Sequence, residues 1–500
     1  LNQSAYPLLS LRERLADLLY TIDRNEQTAG ITQALTLGVT NHIDKNEWDL
    51  FRRTGTIHLM VISGAHIGLV AGICYFLIKW LWCRISLFCI YFPAQGAASI
   101  VALLMAFIYS LLAGFAVPAQ RALIVCFFML LRNFCNQKFS VWQAWRYALL
   151  AVLLFEPHSV LMPGFYLSFI AVAILLLVNQ RFSSKGLKKT ITMQMACMVG
   201  LMPFTLYCFS YGAVNGLVAN LIAVPWVGFV IIPMALLTLC LGQWLVIPWL
   251  VTLLKTSING LLYYLSWVDS FSLFNLNFSY SEIIYPVALT CAMAILLFLP
   301  DKRLLPAAFC LAAGGVFPSY ERVAVAEAKI DVLDVGQGLA VVVRTSKHIL
   351  IYDTGVKLYQ GSDMGKLVII PYLETLGIKK IDKVVISHSD LDHRGGLNSL
   401  QEKYKFDELI VENPGYYNRG KSCHSYSAWN WDGITFRFFA LPKSIKNKNN
   451  QSCVLQIKSK NGQVLLTGDI EKSAEKYLLK KYGKQLQSTF FLVPHHSSKT

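Results

Sequence analysis

The residues best suited to chemistry lie near the C-terminus. An apolar run, Val384-Val385-Ile386, leads into Ser387-His388-Ser389-Asp390-Leu391-Asp392-His393-Arg394-Gly395-Gly396. Four ligand-type side chains, His388, Asp390, Asp392 and His393, fall within this short turn. Imidazoles and carboxylates at such density are costly to desolvate unless a cation compensates them. Gly395 and Gly396 are expected to let the backbone turn tightly behind them. A polar loop at a strand end is the bland alternative, and three further segments argue against it. Asp353 closes Leu350-Ile351-Tyr352, Asp469 follows Leu465-Leu466-Thr467-Gly468, and His495-His496 follow Phe491-Leu492-Val493-Pro494. Each alone would be an ordinary turn or cap. Together they place ligand types at several strand ends, which are rigid places from which to aim side chains.

A second constellation opens the apolar part of the chain, Thr54-Gly55-Thr56-Ile57-His58 through Ser63-Gly64-Ala65-His66. His58 and His66 are spaced for one face of one helix, beside Thr56, Ser63 and residues small enough for close helix packing. A polar patch in a membrane span is a functional candidate. Interhelical hydrogen bonding without a transport role is the alternative.

The elements that must carry these groups follow from composition. The chain has 500 residues, 55% hydrophobic and only 15% charged. That excludes a disordered, collagenous or coiled-coil chain, and a soluble enzyme over the full length. Residues 54–320 hold 13 Lys/Arg and 4 Asp/Glu, whereas residues 327–500 hold 25 and 17. The expected organisation is an amphipathic helical lead-in (1–53, with Leu11, Leu15, Leu18 and Leu19 at helical spacing), a polytopic all-α membrane domain (54–320), and an α/β domain (327–500). About ten spans are expected, at 57–82, 97–117, 119–135, 141–156, 160–178, 191–210, 213–233, 235–254, 258–274 and 283–300, with a short one at 304–318. Pro118, Pro203, Pro225, Pro233 and Pro248 within or between them suggest broken helices around a pathway, or plain kinks. The loop with Arg181, Lys185, Lys188 and Lys189 is read as cytoplasmic. No cleavable signal peptide is visible. From residue 329 the periodicity becomes that of strands, at 330–335, 339–345, 348–352, 383–387, 408–411, 434–440, 453–458, 463–467 and 489–493, with helices near 366–376, 395–402 and 471–482. Net charge is +16, shared between the two halves, which suits an anionic partner such as nucleic acid or acidic lipid. Cys423 and Cys453, the two cysteines of the polar half, could pair in an oxidising compartment.

The ordered strand-end motifs resemble the metallo-β-lactamase fold, an αββα sandwich, with HxDxDH where that family usually has HxHxDH. The resemblance implies that His388 and Asp390 hold one divalent ion and Asp392 and His393 a second. Asp469 would bridge the two, and His495 would complete the second ion's shell. Catalytic work would fall to Asp392, Asp469 and His496, the last as ligand or as proton donor to the leaving group. Asp353 would orient the ligands from behind. The family's separate middle His is not evident. His424 stands in an odd context, and Asn450 or Ser452 matches that region better. Asp390 in place of an imidazole hardens the site, favouring manganese over zinc, with magnesium also suitable.

The TGTxHLxxISGxHIGL run resembles the ComEC family of competence proteins. So do Val117-Pro118-Ala119-Gln120-Arg121-Ala122, Asn220 to Trp226, Asp334-Val335-Gly336-Gln337-Gly338 and the terminal PHHSSKT. That family implies an inner-membrane channel for single-stranded DNA, with a metal-dependent nuclease domain, on the extracytoplasmic face, that degrades the other strand. Thr56, His58, Ser63, His66, Gln120, Arg121 and Asn220 would serve the channel. DNA, membrane lipid, a DNA receptor and a cytoplasmic translocase would be partners, and an oligomer would suit the role. Both chain ends are read as cuts, with an anchor and β-rich domain before Leu1 and a remainder after Thr500. Lys379, Lys380, Lys383, Arg394, Lys403 and Lys405 could bind phosphates, or form a solvated face. Trp429, Trp431, Tyr416 and Tyr417 could stack on bases, or pack. Two other readings stand beside this one: a channel whose hydrolase domain only binds DNA, and a membrane-tethered phosphodiesterase of lipid or small substrates.

Overall fold

Helix signals and strand signals segregate along the chain, and so do the elements they form. The computed structural model describes residues 7–494, apart from 132, 134–139, 183–184, 243, 246, 299–301, 359–361 and 443–446. Two compact units result. One is helical, Leu1–Asn277 with Ile284–Val316; the other is Phe278–Ile283 with Phe317–Thr500.

The helical unit begins with Pro7–Ile22, Glu26–Leu37 and Lys45–Arg53. Asn25 caps the second of these by accepting from the Gln27 and Thr28 amides, and Gly38 ends it at a left-handed φ of 69°. Every residue from Thr28 to Leu37 is buried. Ile31 and Leu35 share a core with Phe51, Met60, Ile258 and Leu261. Arg53 pairs with Asp269 at 2.8 Å, and Lys255 with Asp23 at 2.7 Å. No structural boundary therefore falls at residue 54, and the expected lead-in is part of the helical unit. Of its amphipathic face, Leu15 and Leu19 are buried while Leu11 is exposed.

Among the described residues, five helices are long and apolar enough to cross a membrane: Gly64–Arg84, Ala94–Leu112, Pro163–Arg181, Gly186–Phe209 and Gly216–Leu241. The expectation of about ten spans counted shorter apolar helices, Val117–Leu131, Val141–Phe155 and Ile284–Phe298, as full crossings. It also divided Gly216–Leu241 at the wrong place. That helix runs through a π-helical turn, Val227–Ile231, bracketed by Pro225 and Pro233. A proline has no amide to donate to the preceding turn, and a local change of hydrogen-bond register absorbs the defect. Pro203 lies inside Gly186–Phe209, whereas Pro248 begins the helix Pro248–Asp269, where a missing amide costs nothing.

The second unit is an αββα sandwich. Strands β1 (Lys329–Val332), β2 (Val341–Arg344), β3 (Ile349–Tyr352), β4 (Ile381–Ile386), β5 (Phe406–Val411) and β6 (Lys421–Ser422) form one sheet in that order. Strands β7 (Trp429–Trp431), β8 (Ile434–Phe439), β9 (Val454–Lys458), β10 (Gln463–Leu466) and β11 (Phe490–Phe491) form the other, in the order β11-β10-β9-β8-β7. Alternation assigns the faces. Val341, Val343, Leu350 and Tyr352 meet Phe436, Leu455 and Ile457 between the sheets. Val342 and Ile351 face outward to Ile369 and Leu373 on one side. On the other, Val454 and Leu465 meet Ala474 and Leu478 of the helix Lys472–Tyr482. Tyr352 is wholly buried and its hydroxyl donates to the Cys453 carbonyl at 2.7 Å. A disulfide joins Cys423, just after β6, to Cys453, just before β9. β6 and β7 are not among the expected strands: the first is only two residues long, and Trp429 and Trp431 read as residues that stack on bases or pack, with no strand assigned to them. Trp429 instead stacks on Phe436 at 5.0 Å between ring centroids, within the inter-sheet core.

Candidate metal centre

Three strand ends meet above the sandwich. β3 ends at Tyr352, and Asp353 turns the chain at a φ of 62°, a conformation in which a short polar side chain is tolerated. The Asp353 carboxylate is fully buried. One oxygen accepts from the Ser387 amide at 2.6 Å and the other lies 2.8 Å from His393 Nδ1. β4 ends at Ile386 and delivers Ser387 and His388; the one-turn helix Leu391–Arg394 carries Asp392 and His393. β10 ends at Leu466, and Gly468, at a φ of 57°, swings Asp469 inward. A methyl group at Gly468 would sit 2.8 Å from the Ser452 Cβ and 2.9 Å from the Ser387 Cβ.

His388, His393 and Asp469 are all buried, with ligand atoms within 4.8 Å of one another. The two imidazole centroids are 4.2 Å apart. Asp469 lies 3.3 Å from His393 Nε2, Asp392 lies 3.8 Å from that same nitrogen, and Asp390 lies 3.5 Å from His388 Nε2. Burial pulls the His393 imidazole down, but Asp353 and Asp469 outweigh it and hold its pKa at about 10. Burial and the neighbouring His393 push His388 below its ordinary value. Two close imidazoles, one favouring its proton and the other refusing it, among inward-facing carboxylates form a donor set that suits a divalent cation. The Asp353 contact fixes His393 Nδ1 and leaves Nε2 toward the other ligands, the usual carboxylate–histidine arrangement behind a metal.

The site residues expected from sequence are found as follows. His388, His393 and Asp469 form the buried cluster; Asp390 and Asp392 stand at its rim, partly exposed. Ser452 accepts from the Asp469 amide at 3.2 Å, so it positions that carboxylate. Asn450 is bonded to Glu471, accepting from its amide at 2.8 Å and donating to its carboxylate at 2.9 Å. His424 lies on the turn Cys423–Ser425, outside the cluster. His495 and His496 lie outside the described residues. Gly395 and Gly396 make the expected tight turn, at φ values of −55° and −88°, between the helices Leu391–Arg394 and Leu397–Lys403. They are needed for close approach, since a Cβ would lie 2.2 Å from the Lys357 amide at one and 2.4 Å from the Gly365 amide at the other.

Sequence reasoning missed Ser387, whose hydroxyl lies 3.0 Å from His388 Nδ1 and 3.3 Å from His393 Nδ1. It also missed Glu412, whose carboxyl burial pushes up to about 7 beside the same loop. A serine or glutamate at a strand end carries no distinguishing signal. Several of the basic residues expected to meet phosphate are paired within the unit: Lys380 with Asp407, Lys403 with Glu374, and Lys383 with Glu408. Arg394 donates to the Ser389 carbonyl at 2.6 Å and to the Tyr416 hydroxyl at 2.8 Å.

In the helical unit, His58 and His66 do not share a helix. His58 is on the short turn Ile57–Met60, the chain is extended through Val61 and Ser63, and Gly64–Arg84 begins afresh. Thr56 is buried against Thr54 at 2.9 Å, and Gln120 donates to the Phe115 carbonyl at 2.7 Å. Asn220 donates to the Gly55 carbonyl at 3.4 Å, and the Ser63 amide donates to His66 Nδ1 at 3.4 Å. Arg121 donates to the Gly164 carbonyl at 3.2 Å.

A family model described as competence protein matches residues 35–303, more than half of the chain. The chain belongs to that family. A second model, the metallo-beta-lactamase superfamily, matches residues 333–500 and covers every described residue of the metal cluster. This domain type binds divalent metal ions. The chain is 33% identical over 484 residues to "Competence protein ComA" of Neisseria gonorrhoeae, covering 94% of this chain and 66% of that one. It is 29% identical over 526 residues to "Uncharacterized protein YcaI" of Escherichia coli, covering 99% and 66%. It is 28% identical over 539 residues to "Recombination protein 2" of Haemophilus influenzae, covering 94% and 64%. The chain thus spans about two thirds of the length of the curated relatives it matches.

Proposed function

We propose that this protein takes up DNA during natural transformation. Its helical unit passes one strand through the inner membrane, and its metallo-β-lactamase unit hydrolyses phosphodiester bonds of the other. The observation that carries the hydrolase half is the convergence of His388, His393 and Asp469 within 4.8 Å, backed by Asp353. Family membership and the five long apolar helices support the membrane half.

When bound, a pair of divalent ions would supply an activated water and charge stabilisation for an in-line displacement. His388 and Asp390 would hold one ion, Asp392 and His393 the other, and Asp469 would lie between them. His495 would add a ligand and His496 would serve the leaving group. The protein's own work is orientation: Asp353 aligns His393, Ser387 sits between both imidazoles, and Ser452 holds the Asp469 backbone. The oxygen-rich rim made by Asp390 and Asp392 favours manganese. The hydrolase unit would face the oxidising side of the membrane, where Cys423 and Cys453 can stay bridged. A DNA receptor and a cytoplasmic translocase would be working partners.

The test is cleavage of DNA, RNA and lipid phosphodiesters by metal-stripped protein reloaded with manganese, zinc or magnesium, beside Asp392→Ala and Asp469→Ala. DNA cleavage restored best by manganese and lost in both variants is the expected result. Cleavage of lipid phosphodiesters with indifference to DNA would replace this reading with the tethered phosphodiesterase. Unimpaired uptake by an inactive Asp392→Ala chain would reduce the hydrolase unit to a binding module.

A further inference from the structure

A site that cleaves phosphodiesters has to admit an anion past its own acidic ligands. Here the rim is Asp390 and Asp392, whose side chains are 42% and 35% exposed, and their charge repels a phosphate. Arg394, on the same loop, spends Nε on the Ser389 carbonyl and Nη2 on the Tyr416 hydroxyl. Lys380, Lys383 and Lys403 are paired with other carboxylates.

Lys448, on the loop before β9, brings an ammonium to this rim from the other sheet. One Asp390 oxygen lies 3.5 Å from His388 Nε2, and the other lies 4.0 Å from Lys448 Nζ. The loop is fixed by its neighbours. Asn447, Asn449 and Asn450 donate their side-chain amides to the Glu471 carboxylate at 2.7, 3.5 and 2.9 Å, and the Glu471 amide donates to Asn450 Oδ1 at 2.8 Å. The Ser452 hydroxyl donates to the Asn449 carbonyl at 2.7 Å while accepting from the Asp469 amide. The lysine is therefore carried on a turn tied to the strand end that delivers Asp469.

Glu471 is occupied by neutral amides, and the Lys448 side chain stands 74% exposed. A separation of 4.0 Å is too long for a hydrogen bond, so the ammonium keeps its donors for a ligand arriving from solvent. An ion held by His388 and Asp390 would take up the carboxylate's charge. The ammonium would then face a cation unless an anionic oxygen lay between them.

We propose that Lys448 binds a non-bridging phosphate oxygen of the DNA strand at the mouth of the metal centre. The inference rests on the hydrolase reading and adds to it the residue that seats the substrate. A lysine serves such an oxygen as a point charge and reads no base.

The experiment uses the full chain in discs of zwitterionic lipid with manganese. Oligonucleotide hydrolysis is measured for wild type, K448Q and K448R. Binding of single-stranded oligonucleotides is measured by fluorescence anisotropy in the Asp392→Ala background, with and without K448Q. K448Q should raise KM and Kd about fivefold, the upper end for a solvent-screened charge pair, with kcat retained and K448R close to wild type. The plot of log affinity against log salt should become shallower by about 0.7. A single uncharged methylphosphonate linkage, moved along the strand, should at one position weaken binding to the chain with Lys448 and leave K448Q unaffected. Unchanged KM and Kd in K448Q, a fall in kcat alone, or an equal methylphosphonate penalty in both chains overturns the proposal and leaves the hydrolase reading intact. A raised KM for phosphatidylglycerol but not for oligonucleotide also overturns it. No hydrolysis of oligonucleotide by wild type removes the hydrolase reading, and this site with it.

Discussion

Asp353 shows how one carboxylate decides what an imidazole can do. It faces His393 Nδ1 at 2.8 Å while its other oxygen is engaged by the Ser387 amide. In Asp353→Asn the amide oxygen can keep the Ser387 contact, but an NH2 group would then face Nδ1. The ring would accept there and carry its proton on Nε2, the nitrogen aimed at Asp469 and Asp392. Metal affinity should fall by about 10–100-fold with the circular dichroism spectrum unchanged, as titration calorimetry with manganese would read. Gly468 is a second single-residue control. Gly468→Ala combines a positive φ with contacts under 3 Å to Ser452 and Ser387, and should cost about 1–3 kcal/mol, read as a lowered melting temperature. At this scale the sequence was informative where chemistry is concentrated. His388, His393, Asp353 and Asp469 could be named because ligand types at strand ends are few. Ser387 could not, because its role comes from lying between two rings that only the fold brings to 4.2 Å.

Lys383 belongs to the scale of the strand. In sequence it sits beside the metal loop and reads as a phosphate contact or as part of a solvated face. On β4, however, it shares a face with Val385, which points between the sheets, and its register partner on β5 is Glu408. The ammonium also lies 5.2–5.6 Å from the ring centroids of Tyr426, Trp429 and Trp431. Burial alone would raise the Glu408 carboxyl, but hydrogen bonds from Lys383, Lys421 and Tyr426 outweigh it and hold the pKa at about 2. An unfolded glutamate titrates near about 4.3, so the stabilisation is complete above that pH and is lost as acid carries the solution through about 2. Glu408→Gln should therefore destabilise the unit by about 2 kcal/mol at neutral pH, and the gap from wild type should close between about pH 4 and pH 2. Thermal melting across that range checks both statements. The strands themselves were legible from period-two alternation, and β4, β8 and β10 fall within a few residues of expectation. The pairing of Lys383 with Glu408 was not, because register between distant strands has no local signature.

For the molecule as a whole, charge density along the chain told the two units apart. It did not tell how many helices cross the membrane, because short helices such as Val117–Leu131 and Val141–Phe155 are as apolar as the long ones. The units should also differ in their response to reductant. The described cysteines of the helical unit are all free, whereas Cys423 and Cys453 close a loop over a sequence separation of 30 residues. Reduction, or Cys423→Ser, should weaken the hydrolase unit by about 3 kcal/mol and leave the melting of the helical unit in place, as calorimetry of the full chain would resolve.

Cys453 does more than close that loop. Its amide donates to the Ser387 carbonyl at 2.9 Å and its carbonyl accepts from Tyr352. One oxidised sulfur thus fastens the very segment that presents the imidazoles. With the hydrolase unit on the oxidising side of the membrane, as proposed, maturation would have an order: export, oxidation, ion capture. A recombinant preparation made in a reducing cytosol, or stored with dithiothreitol, would lose its ion easily and be misjudged as an inert relic of an enzyme.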